Sequence, residues 1–245
     1  MSRTDNQEPM IMADSAARIR FVDSPETEHR PFLPGMGKAW LMPLYDPCTR
    51  LLGIARFRAQ LIKYAQIEAG QKVLDVGCGS GDLLLALAAA VPGAELTGLD
   101  PDGVALGRAA RKAAAAGAGV TLIRGYADEL PLEDASLDHV VSTLAIHHLD
   151  AESQARFAAE ARRVLSPGGK VTILDFGGPS GDHAHGPLGH LSALLDAAMR
   201  RSPQVQANLD DGLPDLLRRN GFDDAAEVAH HQAFFGSLTI VRATR

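Results

Sequence analysis

The chain has 245 residues, with 24 lysines and arginines against 30 aspartates and glutamates, for a net charge of −6. Hydrophobic residues make up 46% and charged residues 22%, enough apolar surface for a sizeable core, which excludes bulk disorder and fits one large domain better than two small ones. The acidic balance lacks a lysine- or arginine-rich block, so nucleic acid is excluded as the main partner and a small molecule is expected instead.

Residues 1–30 are polar, carry Pro9 and Pro25, and read as a flexible arm. No apolar stretch with a cleavage site follows the opening MSRTDNQEPM, so no secretory signal is expected and the expected location is cytoplasmic. Residues 31–245 are expected to form a single domain that opens with a helical cap over 31–69. Trp40, Leu41, Met42, Leu44 and Tyr45 lead into Leu51, Leu52, Ile54, Phe57, Leu61, Ile62 and Tyr64, the second group at helical spacing. Beyond Gly70 short apolar strands alternate with alanine-rich helices. The strands are expected at Lys72–Val76, Glu95–Leu99, Val120–Arg124, Leu137–Thr143 and Lys170–Phe176. Helices are expected at Asp82–Ala90, stopped by Pro92-Gly93, at Gly103–Ala116, and at Glu152–Leu165, stopped by Ser166-Pro167-Gly168-Gly169. Residues 177–212, rich in Gly, Pro, His and Asp, read as a lid-like insertion with one helix at Leu188–Arg201. A helix at Leu213–Asn220 and a hairpin of Ala225–Phe234 with Ser237–Ala243 complete the chain. The fold class is therefore α/β: a Rossmann-like, doubly wound, seven-stranded sheet, mostly parallel, with an antiparallel C-terminal hairpin strand and N-terminal helices. The longest apolar run, Leu83 to Val91, falls short of the roughly 20 residues of a membrane span, so no stable membrane insertion is expected.

The strongest motif is Asp75-Val76-Gly77-Cys78-Gly79-Ser80-Gly81-Asp82, a buried strand turning into a helix through three glycines. Glycine lets a ligand touch the backbone, and the helix amides behind it suit a carboxylate, a ribose or a phosphate. The spacing is G-x-G-x-G, neither the G-x-G-x-x-G of a dinucleotide site nor a GxxxxGK[ST] phosphate loop. Asp100 ends the second strand with Pro101 after it, where a carboxylate can accept both hydroxyls of a ribose, and Asp128 follows the third strand. Strand ends in an open parallel sheet border one crevice, so Asp75, Asp100 and Asp128 are expected on one ligand, although each alone could be a helix or turn cap. Cys48 and Cys78 are too few for a disulfide framework and form no CxxC pair, and His183, His185 and His190 match no strong metal pattern; no metal is expected. His230 and His231 read as one side chain on each face of a strand.

From Tyr45 to Leu174 the sequence resembles the class I S-adenosylmethionine-dependent methyltransferases, through DVGCGSG, the LDP after strand two, YADELPLEDASLDHVV and RVLSPGGKVTILDF. Within them it looks most like the small-molecule enzymes of the ubiquinone/menaquinone-biosynthesis branch. The resemblance implies S-adenosyl-L-methionine as cofactor, with S-adenosyl-L-homocysteine as product. It puts Asp75, Gly77, Cys78, Gly79 and Gly81 near the methionine end, Asp100 with Pro101 on the ribose hydroxyls, Asp128 with Ala127 at the adenine amino group, and Thr143 and Leu144 beside the sulfonium. Methyl transfer is an in-line displacement, and a hydroxyl acceptor needs a base. His147 and His148, directly after strand four, are the catalytic candidates, with helix packing as their plain alternative. Trp40 and Tyr45 are candidates for the acceptor pocket. Ser142-Thr143-Leu144-Ala145 stands where enzymes acting on adenine or amide nitrogens carry Asn/Asp-Pro-Pro-Tyr, which argues against DNA and glutamine acceptors. The expected function is methyl transfer to O, C or N of a small metabolite. The competing reading is a protein of this fold that binds S-adenosylmethionine without donating its methyl, as sensor, partner subunit or scaffold. An apolar N-terminal helix leaves three roles open: a lid, then a homodimer contact, then contact with a membrane surface.

Overall fold

The computed structural model describes residues 19–23, 53–177, 212–233 and 236–245. An eight-stranded sheet runs through them. Its strands are β1 (Ile19–Asp23), β2 (Lys72–Val76), β3 (Glu95–Asp100), β4 (Val120–Arg124), β5 (Leu137–Thr143), β6 (Leu165–Phe176), β7 (Ala226–Ala233) and β8 (Gly236–Thr244). The spatial order is β1-β4-β3-β2-β5-β6-β8-β7. Strands β1 to β6 pair in parallel, and β8 lies antiparallel between β6 and β7. The order reverses at β2, whose neighbours are β3 and β5, and the crevice beyond the strand ends there is where an open α/β sheet binds its ligand.

The seven strands expected from the sequence are present. The eighth, β1, lies in the segment read as a flexible arm and pairs Ile19 to Asp23 with Val120 to Arg124. Its five residues, Ile-Arg-Phe-Val-Asp, are short and flanked by charges, so the pairing partner a hundred residues away, not local pattern, makes them a strand. Strand β6 begins at Leu165, five residues ahead of expectation, because Leu165 pairs with Leu137 and the Ser166-Pro167-Gly168-Gly169 segment is held by Gly168 N–H to Arg245 O and Arg245 N–H to Gly169 O. The expected helix at Leu188–Arg201 lies outside the described residues.

Both faces of the sheet are covered, which is why its central strands read as unbroken apolar runs. Val73, Val141 and Leu174 enter one core with α1 (Ile54–Ala65), α2 (Asp82–Ala90) and α3 (Gly103–Ala116). Leu74, Val140 and Ile173 point the other way, into a second core with α4 (Ala151–Val164) and α5 (Gly212–Arg219). On α1 the buried residues are Ile54, Phe57, Leu61 and Ala65, one stripe at helical spacing. Helices α3 and α4 start on aspartates: Asp102 accepts from the amides of Val104 and Ala105, and Asp150 from that of Ser153.

Two glycines fix where the crevice forms. Gly77 has φ +71°, and a Cβ there would stand 2.3 Å from the Ala145 Cβ; at Gly81, φ is +80° and a Cβ would stand 2.8 Å from that of Ala109. The β2 loop can thus pass under the β5 loop, and α2 can start against α3, only without side chains. Gly77→Ala is expected to destabilise the chain by about 2–4 kcal/mol, from the left-handed backbone and the overlap together. Urea unfolding measures it; a midpoint equal to the wild type would contradict the close approach.

Candidate functional site

The loop after β2 is pinned to the end of β3. The amides of Gly77 and Cys78 both donate to Leu99 O, at 2.8 and 3.1 Å, and the Gly79 amide donates to Asp100 Oδ2 at 2.8 Å. The second Asp100 oxygen accepts from the Asp102 amide at 2.8 Å. Each oxygen keeps acceptor capacity for a hydroxyl. Burial raises the Asp100 carboxyl to about 6 despite these two amides. Two residues before the loop, Asp75 is 1% exposed and its Oδ2 has no hydrogen-bond partner. Burial pushes its carboxyl well above the usual range; the Arg58 charge opposes this and Asp100 reinforces it.

Asp75, Gly77, Cys78, Gly79 and Thr143 line one cleft, joined by Arg58, Ser80, Asp82 and Leu83. Thr143 Oγ1 is also buried without a partner. Its neighbour Ser142 donates to Val76 O at 2.8 Å, tying the ends of β5 and β2. Leu144 follows with φ +52°, an unusual conformation for a residue with a side chain, and its amide is held by Leu174 O. Three orphaned polar atoms, counting Arg58 Nε, thus face a space lined by glycine backbone. Such groups are costly unless a polar ligand satisfies them. The Cys78 thiol is pushed up by burial and by Asp100 and Asp75, which makes it an unreactive small filler.

Asp128 stands beyond β4, with Ala127 packed against the second core. It is 8% exposed, and its Oδ2 accepts from Arg156 Nε at 3.2 Å and Nη2 at 3.0 Å. Pro101 turns the chain after β3 and its carbonyl accepts from Arg124 Nε at 3.4 Å.

His147 and His148 form a 3-10 turn, Ile146–His148, after β5. His147 Nδ1 lies 2.6 Å from Asp175 Oδ1, at the end of β6, and the His147 amide donates to Asp175 Oδ2 at 3.1 Å. Asp175 is fully buried and also accepts from the Phe176 amide at 2.7 Å. The His147 ring meets Phe176 edge-on at 4.9 Å and His148 at 4.1 Å. Burial and the neighbouring His147 lower His148 to about 4, so it is neutral at pH 7.

Sequence reasoning missed three residues here: Asp175, Arg58 and Arg156. Asp175 could have been found by the rule that singled out the other acids, since it too ends a buried parallel strand. Arg58 and Arg156 gave no signal. Trp40 and Tyr45, and the three histidines at 183, 185 and 190, lie outside the described residues. Among the described residues no group of three His, Cys, Asp or Glu stands close enough to hold a metal ion. His231 packs on Phe57 at 5.4 Å, while His230 turns to Ser237 Oγ at 3.2 Å on the other side of the strand. No helix among the described residues is long and apolar enough to cross a membrane.

A glycine turn at the switch point, with acids at successive strand ends, marks a Rossmann-like α/β fold with its ligand crevice at this edge of the sheet. A family model described as "Methyltransferase domain" matches residues 73–169. The chain is 31% identical to a ubiquinone/menaquinone biosynthesis C-methyltransferase of Syntrophotalea carbinolica, over 84% of this chain and 91% of that protein. It is 35% identical to a demethylmenaquinone methyltransferase of Thermus thermophilus, the match covering 57% of this chain and 64% of that one. A crystal structure of a SAM-dependent methyltransferase from Aquifex aeolicus has the same fold, with TM-score 0.57, 20% identity and coverage of 76% and 88%. The chain belongs to the class I S-adenosylmethionine-dependent methyltransferases, and these relatives favour methyl transfer over a non-methylating role.

Asp100 can accept hydrogen bonds from hydroxyl groups on both oxygens only in its ionised form. With that group at about 6 in the ligand-free chain, affinity for S-adenosylhomocysteine is expected to be flat above pH 7 and to fall about tenfold per unit below pH 6. Calorimetric titration between pH 5 and 8 measures this; equal affinity at both ends would contradict the role of Asp100.

Proposed function

We propose that the chain methylates a small hydroxylated ring compound of quinol type, at carbon or oxygen, with His147 as the base and Asp175 as its positioning partner. The observation that carries this reading is the 2.6 Å contact between His147 Nδ1 and Asp175 Oδ1. A buried carboxylate that accepts a hydrogen bond from Nδ1–H fixes the tautomer with the lone pair on Nε2, the arrangement a general base needs. The amide bonds of His147 and Phe176 to the same carboxylate hold the ring and the acid in register. His148, lowered to about 4, is too weak a base at neutral pH and serves as a neutral neighbour.

When bound, S-adenosylmethionine supplies an electrophilic sulfonium methyl group. Asp75, the Gly77–Gly81 backbone, Asp100 and Thr143 would hold it, and their orphaned atoms fit a ligand that is polar at several points. For the acceptor, removal of a ring hydroxyl proton to His147 Nε2 puts negative charge on the oxygen and on the carbons ortho and para to it. Either can then attack the methyl carbon. The chain's relatives, a demethylmenaquinone methyltransferase and a ubiquinone/menaquinone biosynthesis C-methyltransferase, support a ring acceptor.

The test is turnover to S-adenosylhomocysteine with a panel of reduced, demethylated quinols beside non-hydroxylated rings and aliphatic amines. Methylation of the hydroxylated rings alone is expected. Turnover only with the amines would overturn both the acceptor class and the need for a base.

A further inference from the structure

We propose that the face of the sheet covered by α1, α2 and α3 docks on an anionic phospholipid surface, with α2 against the lipid and the cations on either side of it among the headgroups. Docking of this kind does not depend on which acceptor the site takes. The three helices carry Arg56, Arg58, Lys63, Arg108, Arg111 and Lys112 against one acid, Asp82. That acid is already held twice, by Arg58 Nη2 at 3.2 Å and by Lys112 Nζ at 2.8 Å. Arg56, Lys63, Arg108 and Arg111 have no carboxylate partner among the described residues, and all but the half-buried Arg108 are exposed. On the opposite face arginines are paired: Arg156 with Asp128, Arg163 with Asp134 and Glu160, and Arg218 with Asp215. In a chain of net charge −6, cations without partners are thus gathered on one side.

Between these cations lies a helix with an uncharged outer side. Helix α2 touches both α1 and α3 and has no polar residue after Asp82. Leu83, Leu84 and Leu87 enter the core, while Leu85, Ala86, Ala89 and Ala90 are partly or fully exposed. A helix that is apolar all round has the pattern of one covered on every side. On α3, Val104 is 64% exposed and shares a side with Arg108 and Arg111, one and two turns further on. An apolar strip flanked by lysine and arginine, with no acid free to oppose them, is the kind of surface that lies in a headgroup layer. A second copy of the same face would instead set cations against cations. Arg58, Asp82 and Leu83 line the cleft, so docking along this face would hold the rim of the cleft beside the lipid.

Cosedimentation of the full chain with phosphatidylcholine vesicles, with and without phosphatidylglycerol, tests this. At about 0.1 M salt the anionic vesicles are expected to bind it roughly 10²-fold more tightly, as four cations near such a surface imply. At about 1 M salt, where the Debye length is about 3 Å, the preference is expected to vanish. Arg111→Glu is expected to weaken anionic binding roughly tenfold, and Lys63→Glu combined with Arg111→Glu to abolish it. Both variants are expected to keep S-adenosylhomocysteine affinity within about threefold, since neither residue touches the cleft. Arg219→Glu makes the same change of net charge on α5, at a side chain 80% exposed, and is expected to alter vesicle binding less than about twofold. Equal binding to the two vesicle types, binding to neither, or equal loss in Arg111→Glu and Arg219→Glu would each overturn the docking face. So would a dimer in solution that the double variant dissociates, which would make the face a contact between copies.

Discussion

Replacing Asp100 by alanine is expected to raise the dissociation constant for S-adenosylhomocysteine by roughly 10²–10⁴-fold. The two hydrogen bonds that ribose hydroxyls would donate to this carboxylate are lost, each about 1.5–3 kcal/mol for a charged acceptor. Burial raises Asp100 to about 6, the sign of a charge held at a cost in the ligand-free chain. Its two amide donors, from Gly79 and Asp102, fix the carboxylate but do not fully offset that cost. The thermal midpoint of the alanine variant at pH 8 is therefore expected to stay near that of the wild type while binding collapses. Asp100→Asn keeps the volume but turns one acceptor into a donor, and is expected to lose at least tenfold. Calorimetry on the folded variants checks both, and unchanged affinity in either would remove Asp100 from the cofactor site.

His147→Ala is expected to lower kcat by roughly 10²–10⁴-fold on a hydroxylated acceptor, the range of a positioned general base, and to leave S-adenosylhomocysteine binding within about threefold. Asp175→Asn should act through the same ring: the amide can no longer take the Nδ1 proton without competition, so Nε2 loses its lone pair in part of the molecules. A purely structural role for this pair would instead lower stability with little change in kcat. The pH profile separates the two. At saturating cofactor and acceptor, a base-dependent kcat falls on the acid side in the wild type and becomes flat in His147→Ala; an unaltered profile in the variant would put the proton elsewhere.

Much of the fold, and the loop that lines the candidate cleft, is legible in the sequence for a physical reason. The strands Val120–Arg124 and Leu137–Thr143 and the helices Asp82–Ala90 and Gly103–Ala116 lie where periodicity and punctuation put them. Val120–Arg124 and both helices are bounded by glycine, proline or a capping aspartate, so local chemistry decides their ends. Asp75, Asp100 and the glycine turn could be named because acids at strand ends and glycines at a strand-to-helix turn leave a pattern. What stayed hidden depends on distant partners. Ile19–Asp23 becomes a strand through pairing with β4, and Leu165 joins β6 through Leu137. Arg58 lies between Phe57 and Leu61 on an otherwise apolar stripe, where a long side chain ordinarily reaches back to water. Asp175 sits inside Ile173-Leu174-Asp175-Phe176, and only its 2.6 Å contact with His147 distinguishes a working carboxylate from a strand end.

The most direct measurement of the central claim is incubation of the purified chain with methyl-deuterated S-adenosylmethionine and a small-molecule extract, read by mass spectrometry beside His147→Ala in the same extract. A labelled hydroxylated ring compound is expected, formed with one S-adenosylhomocysteine per label and nearly absent with the variant, while both proteins bind S-adenosylhomocysteine. Binding without any labelled product in the wild type, or equal labelling by the variant, would contradict it.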